Sequence, residues 1–330
     1  MSDDKPVTPS SVRLGWWLSG EEHGARQLVE HALLAESTGF PTAMISDHLQ
    51  PWVRHQGHAG HVWTTLGAIA HATDGIEVGT GVTAMVHRSH PIDVAHAAAT
   101  AAVLFEGRFF LGVGSGERLN EQPYGQRWPR AGERREQMRE AIEVLRQLWQ
   151  DENVNHRGDH FAVEHLRLME RPASPPPIHV ATSGKRSAAL AGELGDGMIA
   201  VEPDATLIDA YRGAGGKGPC IAQLHLSLAA TMDDAMDNAW EWWPNGAVAP
   251  ALLSELARPQ HFEAVAETTQ RDAITKTVIC ATDVDPVVQA IDRYVGAGFD
   301  TVYLHQAGPD QQRLADLAGK ELLPHYQAAG

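Results

Sequence analysis

Short apolar runs alternate with longer amphipathic stretches along almost the whole chain. Val12–Leu18 reads as a first strand, and the helical spacing from Ala25 to Ser37 as a helix closed near Gly39. The unit then repeats. A strand at Ala43–Ser46 precedes a helix around His61–Ala72, and a strand at Ile76–Val82 precedes a helix opening at His90-Pro91, with proline at its favoured first position. Phe109–Gly114 is the fourth strand, followed by a helix on which Met138, Ile142, Leu145 and Trp149 share one apolar face. Strands five to seven fall at Ile178–Ala181, Met198–Val201 and Leu224–Leu228. Asp285-Pro286 caps a helix carrying Val288, Ile291 and Val295, stopped by Gly296 and Gly298; Thr301–Leu304 is the eighth strand and Asp310–Leu323 the last helix. Eight β-then-α units predict an α/β fold, a single (β/α)8 TIM barrel over residues 11–330, rather than a doubly wound sheet. Residues 1–10, polar and proline-bearing, are expected to pack loosely.

Two segments break the rhythm. Asp151–Leu168 alternates polar and apolar residues like a small hairpin inserted after strand four. Asp233–Thr275, after strand seven, reads as long and helical, with Trp240, Trp242 and Trp243 crowded together. Barrel insertions favour the loop face that holds the ligand, so this second one is expected to form a lid.

Charge narrows the function. The 330 residues carry 26 Lys+Arg against 42 Asp+Glu, a formal charge of −16, which repels nucleic acid and anionic membranes. No apolar stretch is long enough to span a bilayer, and Met1–Ser10 lacks the basic flank and apolar run of a signal peptide. A soluble, cytoplasmic protein is the expectation. Cys220 and Cys280 are the only cysteines, too few for a disulfide framework or a Cys-based zinc site, and His55, His58 and His61 lie in a glycine-bearing loop with no evident third ligand. No metal is expected.

In a barrel the chemistry gathers where strands end and βα loops begin. Those positions read Ser46-Asp47-His48, Gly81-Val82-Thr83, Gly114-Ser115-Gly116-Glu117, Thr182-Ser183-Gly184 and Val201-Glu202. His48 is the candidate for moving a proton near neutral pH, with Asp47 beside it and Trp52 four residues on. His87 and His90 are candidate substrate contacts. The glycines before Glu117 let backbone approach a flat ligand, although their spacing is not the dinucleotide fingerprint. Gly184-Lys185-Arg186 suits a phosphate or carboxylate on a ligand tail.

Ser46-Asp-His-Leu-Gln-Pro-Trp52, Gly112-Val-Gly-Ser-Gly-Glu-Arg-Leu-Asn-Glu121 and Leu194-Gly-Asp-Gly197 together resemble the luciferase-like (β/α)8 oxidoreductases, in particular the coenzyme F420-dependent glucose-6-phosphate dehydrogenase group. The resemblance implies a deazaflavin at the barrel mouth. On it, Asp47 contacts the cofactor, His48 lies near the substrate hydroxyl, Trp52 packs over the reacting centre and Glu117 protonates the reduced ring. It also implies a cis peptide at Gly81-Val82, and cofactor contacts from Ser115, Gly116, Asn120, Thr182, Ser183 and Gly184. Glu202 and Lys276 join the substrate contacts, and a homodimer follows from the same likeness. One departure bears on the substrate. The sugar-phosphate enzymes grip phosphate with two lysines and an arginine, whereas the matching positions here read Pro203 or Asp204, Leu253 and Thr277, with Lys276 and Arg258 nearby. Losing those charge-assisted bonds, each ~1.5–3 kcal/mol, points to an alcohol or sugar-like hemiacetal less anionic than a hexose phosphate. The alternatives are an F420-dependent sugar-6-phosphate dehydrogenase using other basic residues, an FMN-dependent monooxygenase needing a flavin reductase and oxygen, and a barrel that binds cofactor without turnover.

Overall fold

The computed structural model describes residues 12–327, so the expectation for residues 1–10 lies outside the described residues. Eight strands run β1 (Arg13–Leu18), β2 (Thr42–Ile45), β3 (Glu77–Thr80), β4 (Phe109–Gly114), β5 (Ile178–Ala181), β6 (Gly197–Ala200), β7 (Cys220–Leu228) and β8 (Thr301–Gln306). Each pairs in parallel with the next, and β8 returns to β1, which closes the sheet into a barrel.

Period-two alternation sorts the side chains into two layers. Leu14, Trp16 and Leu18 of β1 join the large apolar cluster that also takes in the buried faces of the outer helices. The axis is filled instead by Trp17, Met44, Phe110, Ile199, Ile221 and Tyr303. Rings of that size fit because glycine faces them: a Cβ on Gly15 would overlap the Tyr303 ring, and one on Gly79 the Phe110 ring. The barrel is a packed core, not a channel. Its working surface is therefore the rim.

The departures from the sequence reading have local causes. β3 stops at Thr80, because Gly81 and Val82 turn through a cis peptide before Thr83–Ala84 resumes pairing with β4. β7 begins four residues earlier than expected, at Cys220, and Val278–Ala281 forms an unanticipated strand alongside its second half. Gly296 lies inside the helix Asp285–Ala297, and Gly298, left-handed at φ 100°, is the residue that ends it. The hairpin Val154–Arg157/Ala162–Leu166 follows the fourth barrel helix, Ala131–Gln150, rather than the fourth strand directly. It is pinned there by Glu140, which accepts from the backbone N–H groups of His160 (2.9 Å) and Phe161 (2.8 Å).

The insertion after β7 is not one long helix. Pro244, Pro250 and Pro259 each sit at the start of a helical piece and divide it, giving the helix Met232–Trp242, the 3-10 turn Pro244–Ala247, and the helices Pro250–Leu253 and Pro259–Glu267. These pieces bury Trp243, Val248, Phe262 and Ile274 against Trp52, Val53 and Leu119 of the rim loops. Arg54 clamps Glu263 with its backbone N–H and its guanidinium (2.9 and 2.7 Å), and Gln56 donates to the Trp242 carbonyl (2.9 Å). The insertion thus roofs the loop that carries His48.

Candidate active site

β1 ends in Ser19-Gly20-Glu21-Glu22, and both glutamates are almost wholly buried, at 1% and 3% exposure. A buried carboxylate is costly unless donors surround it. Glu21 accepts from the hydroxyls of Ser46 (2.6 Å) and Ser19 (3.2 Å), which turns it toward the end of β2. There His48 Nε2 lies 3.4 Å from Glu21 Oε1 and 3.3 Å from Glu117 Oε2. Its Nδ1 faces the Gln50 carbonyl at 3.2 Å. Trp52 packs against the ring, centroids 4.8 Å apart, and is held from behind by Phe262 at 5.2 Å. His48 and Glu117, 69 residues apart, therefore face one another at the mouth.

Burial alone would push the His48 pKa down. The two carboxylates overcome it and raise the pKa from 6.5 to about 9, so at neutral pH the ring is an imidazolium held between anions. A folded-state pKa above the unfolded one gives stability that is complete below pH 6.5 and lost as pH rises through about 9. Unfolding free energy from urea titrations of the cofactor-free protein should therefore fall by roughly 3 kcal/mol across that window through this group. The fall should be absent in His48→Gln. An equal fall in the variant would mean that the imidazolium contributes nothing.

Glu117 occupies the N-cap position before the short turn of helix Arg118–Glu121. Asn120 braces it: Nδ2 donates to Glu117 Oε2 (3.3 Å) while Oδ1 accepts from the Leu49 N–H (2.8 Å), tying the loop after β4 to the loop after β2. Ser115 is half-buried and Gly116 is left-handed at φ 78°. A Cβ at Gly116 would press Val86 at 3.0 Å, and one at Gly114 would meet Val82 at 2.6 Å. The Val82 and Val86 side chains therefore pack directly against these glycines, next to the cis Gly81-Val82 peptide.

Asp47 has other obligations. Its carboxylate is buried, accepts from the Thr83 hydroxyl at 2.7 Å and is paired with Arg88, which also donates to the Asp47 carbonyl at 3.1 Å. Glu121 in turn holds the backbone N–H groups of His87 (2.8 Å) and Arg88 (2.9 Å). Thr182 is buried, its hydroxyl on the Ile199 carbonyl at 3.2 Å. Ser183 and Gly184 open the helix Lys185–Leu194, and Lys185 and Arg186 are exposed at its first turn.

The candidate substrate contacts divide. Trp52 stands against His48. His87 is turned to the Arg127 carbonyl at 3.1 Å. His90 is a structural cap: its Nδ1 accepts from the Ile92 N–H at 3.2 Å and its ring meets Phe161 of the hairpin, which accounts for it without a substrate. Glu202 and Lys276 are exposed. At the phosphate positions, Asp204 caps a helix, Thr277 donates to the Gly246 carbonyl at 2.8 Å, and the nearby Arg258 is exposed.

Sequence reasoning missed Glu21, Glu22, Arg88, His225 and His305. Two consecutive glutamates at the end of the first strand were a usable signal, since strand ends are where a barrel places its chemistry. The pairing of Arg88 with Asp47 left no trace in local sequence.

The sequence profile of the luciferase-like monooxygenase family matches residues 10–301. An F420-dependent glucose-6-phosphate dehydrogenase of Segniliparus rotundus is 34% identical, covering 96% of this chain and 98% of its own. An F420-dependent hydroxymycolic acid dehydrogenase of Mycobacterium tuberculosis is 36% identical over 97% of this chain and 89% of its own. Among solved structures, an F420-dependent secondary alcohol dehydrogenase in complex with an F420-acetone adduct superposes with a TM-score of 0.89 at 26% identity, covering 96% of this chain and 99% of that one. With its closed parallel barrel and its match across most of its length, the chain belongs to the luciferase-like family.

Proposed function

We propose that the protein is a coenzyme F420-dependent dehydrogenase that oxidises an uncharged alcohol or sugar-like hemiacetal, or reduces the matching carbonyl. The observation that carries this is the His48 ring clamped between Glu21 and Glu117 against Trp52. The likeness to F420-dependent dehydrogenases of a sugar phosphate, a hydroxymycolic acid and a secondary alcohol supports the cofactor.

The residues fit a flat, anion-tailed cofactor. A Cβ at Gly184 would meet nothing within 4 Å, so the helix start at Ser183-Gly184, with Lys185 and Arg186, is open and suits a phosphate tail. Ser115, Asn120 and Thr182 stand at the same end of the barrel, in the loops after β4 and β5. Asp47 acts on it through Arg88 and Thr83, whose groups its carboxylate holds. When bound, the deazaflavin supplies a two-electron hydride acceptor.

The proton chemistry belongs to the chain. The protonated His48 sits within 3.3 Å of Glu117, so one transfer leaves a neutral imidazole for the substrate hydroxyl proton and a carboxylic acid at the rim. In carbonyl reduction the imidazolium is already the acid. Trp52 and the insertion after β7 exclude water from that exchange. The missing phosphate grip favours neutral substrates over hexose phosphates. The same reading includes a cytoplasmic homodimer, supported by family resemblance; no described helix is long and apolar enough to cross a membrane.

The test is incubation with oxidised F420 and a panel of secondary alcohols, sugars and sugar phosphates, following bleaching of the deazaflavin, with FMN binding compared by fluorescence. Bleaching with neutral alcohols is expected. Tight FMN binding with no F420 binding would replace this reading by a monooxygenase, and saturable F420 binding without turnover by a non-catalytic barrel.

A further inference from the structure

A basic cleft opens outside the rim, on the side where the tail site begins. The helices Ala131–Gln150 and Lys185–Leu194 follow β4 and β5, so their first turns lie at the mouth end of the barrel. They run side by side, tied by an ion pair between Arg139 and Glu193. Between them is a cavity of about 200 Å³ lined by Gly132, Arg135, Glu136, Arg139, Arg186 and Leu190. From Gly184, the residue before the second helix, to Leu190 it follows that helix for roughly 9 Å.

Three guanidiniums and one carboxylate line this space. Arg139 is engaged by Glu193, and the nearby Glu133 by Arg127. Arg135 and Arg186 enter no hydrogen bond or ion pair with the described residues, and Lys185 stands exposed beside them. Glu136, also exposed, offsets one of these charges and leaves the cleft positive. An arginine stays charged at any working pH and presents a planar fork that fits a carboxylate. The whole chain carries −16, so it repels an anionic tail in general and this cleft is a local exception. The space is smaller than the ~300 Å³ of a pocket that encloses a small molecule, so it suits an extended chain laid across it.

We propose that the cleft is a second anion subsite, which takes the carboxylates of the cofactor's tail beyond its phosphate. This deepens the dehydrogenase reading above and rests on it. The F420 side chain continues from its phosphodiester into a lactyl group and a run of γ-linked glutamates, each with a free carboxylate. Arg186, at the helix start and in the lining, joins the two subsites, whereas Arg135 belongs to the outer one alone. The cleft thus sets affinity and the choice between long and short tails. It takes no part in the proton transfer between His48 and Glu117.

Two measurements test it. Fluorescence titrations at low ionic strength compare F420 carrying several glutamates with the form that ends at the lactyl phosphate. The wild type should bind the glutamylated form about five- to tenfold more tightly. Arg135→Glu should abolish that preference and leave affinity for the glutamate-free form within about threefold. Arg186→Gln should weaken both forms. Arg293→Gln/Lys320→Gln, on exposed helical positions either side of β8, changes the net charge equally and should keep the preference. An unchanged preference in Arg135→Glu, or an equal loss in the distal pair, overturns the proposal. The second measurement needs no cofactor. In 15N-labelled protein, γ-linked triglutamate should shift the side-chain Nε–H signals of Arg135 and Arg186, whereas acetate at matched ionic strength should not. No shift with triglutamate, or equal shifts with both, also overturns the proposal. If neither form of F420 binds, the dehydrogenase reading fails, and the triglutamate spectra alone decide whether the cleft takes a chain of carboxylates.

Discussion

Replacing His48 with alanine is expected to lower kcat for alcohol oxidation by ~10²–10⁴-fold while F420 affinity changes little. The imidazole lies between Glu21 and Glu117, at 3.4 and 3.3 Å, so its loss breaks the proton path at the centre. Glu117→Gln should give a similar loss for a different reason. The amide keeps the size and the contact with Asn120 but can neither take the proton from His48 nor release one at the rim. Because the two act in a single transfer, the double variant should be little slower than the worse single one. Steady-state kinetics with F420 fluorescence titrations on the same samples separate turnover from binding. Near-normal kcat in either single variant would remove the His48–Glu117 mechanism and leave the barrel untouched.

What the sequence made legible follows from which interactions are local. Period-two and helical spacing are set by neighbours a few residues away, so the eight units and the helix starting at Pro91 could be read directly. The rim positions His48 and Glu117 followed from strand ends alone. The partners were harder, because a fold decides them. His90 has the same residue type and a similar loop setting as His48, yet its ring caps a helix while the other is clamped by two carboxylates. His225 and His305 sat unnoticed inside strands, since alternation says which residues share a face but not which rim loop will bring Glu22 to them. The proline-divided insertion shows the opposite error. Apolar spacing suggested continuity, and Pro244, Pro250 and Pro259, each visible in the sequence, should have been read as the breaks they are.

The Arg88–Asp47 pair has the largest expected effect on stability. Arg88→Met keeps most of the side chain's length and apolar packing but strands the Asp47 carboxylate, which is 1% exposed, with the Thr83 hydroxyl as its remaining side-chain donor. Removing one partner of a buried ion pair costs about 3–5 kcal/mol, mostly for the charge left behind. The loss is therefore expected in urea unfolding of the cofactor-free protein. Asp47→Asn in the Arg88→Met background removes that charge, and should recover most of the loss although no contact is restored. That recovery is the diagnostic result. If the double variant is as unstable as Arg88→Met, the guanidinium matters for packing and for its bond to the Asp47 carbonyl, not for neutralising a carboxylate. The pair also joins the loop after β2 to the loop after β3, where Glu121 holds the Arg88 N–H. A destabilised Arg88→Met should consequently loosen the approach of His48 to Glu117 before the barrel itself unfolds. Faster hydrogen exchange at residues 47–50 and 83–88 than along β1 and β8 would mark that order of events.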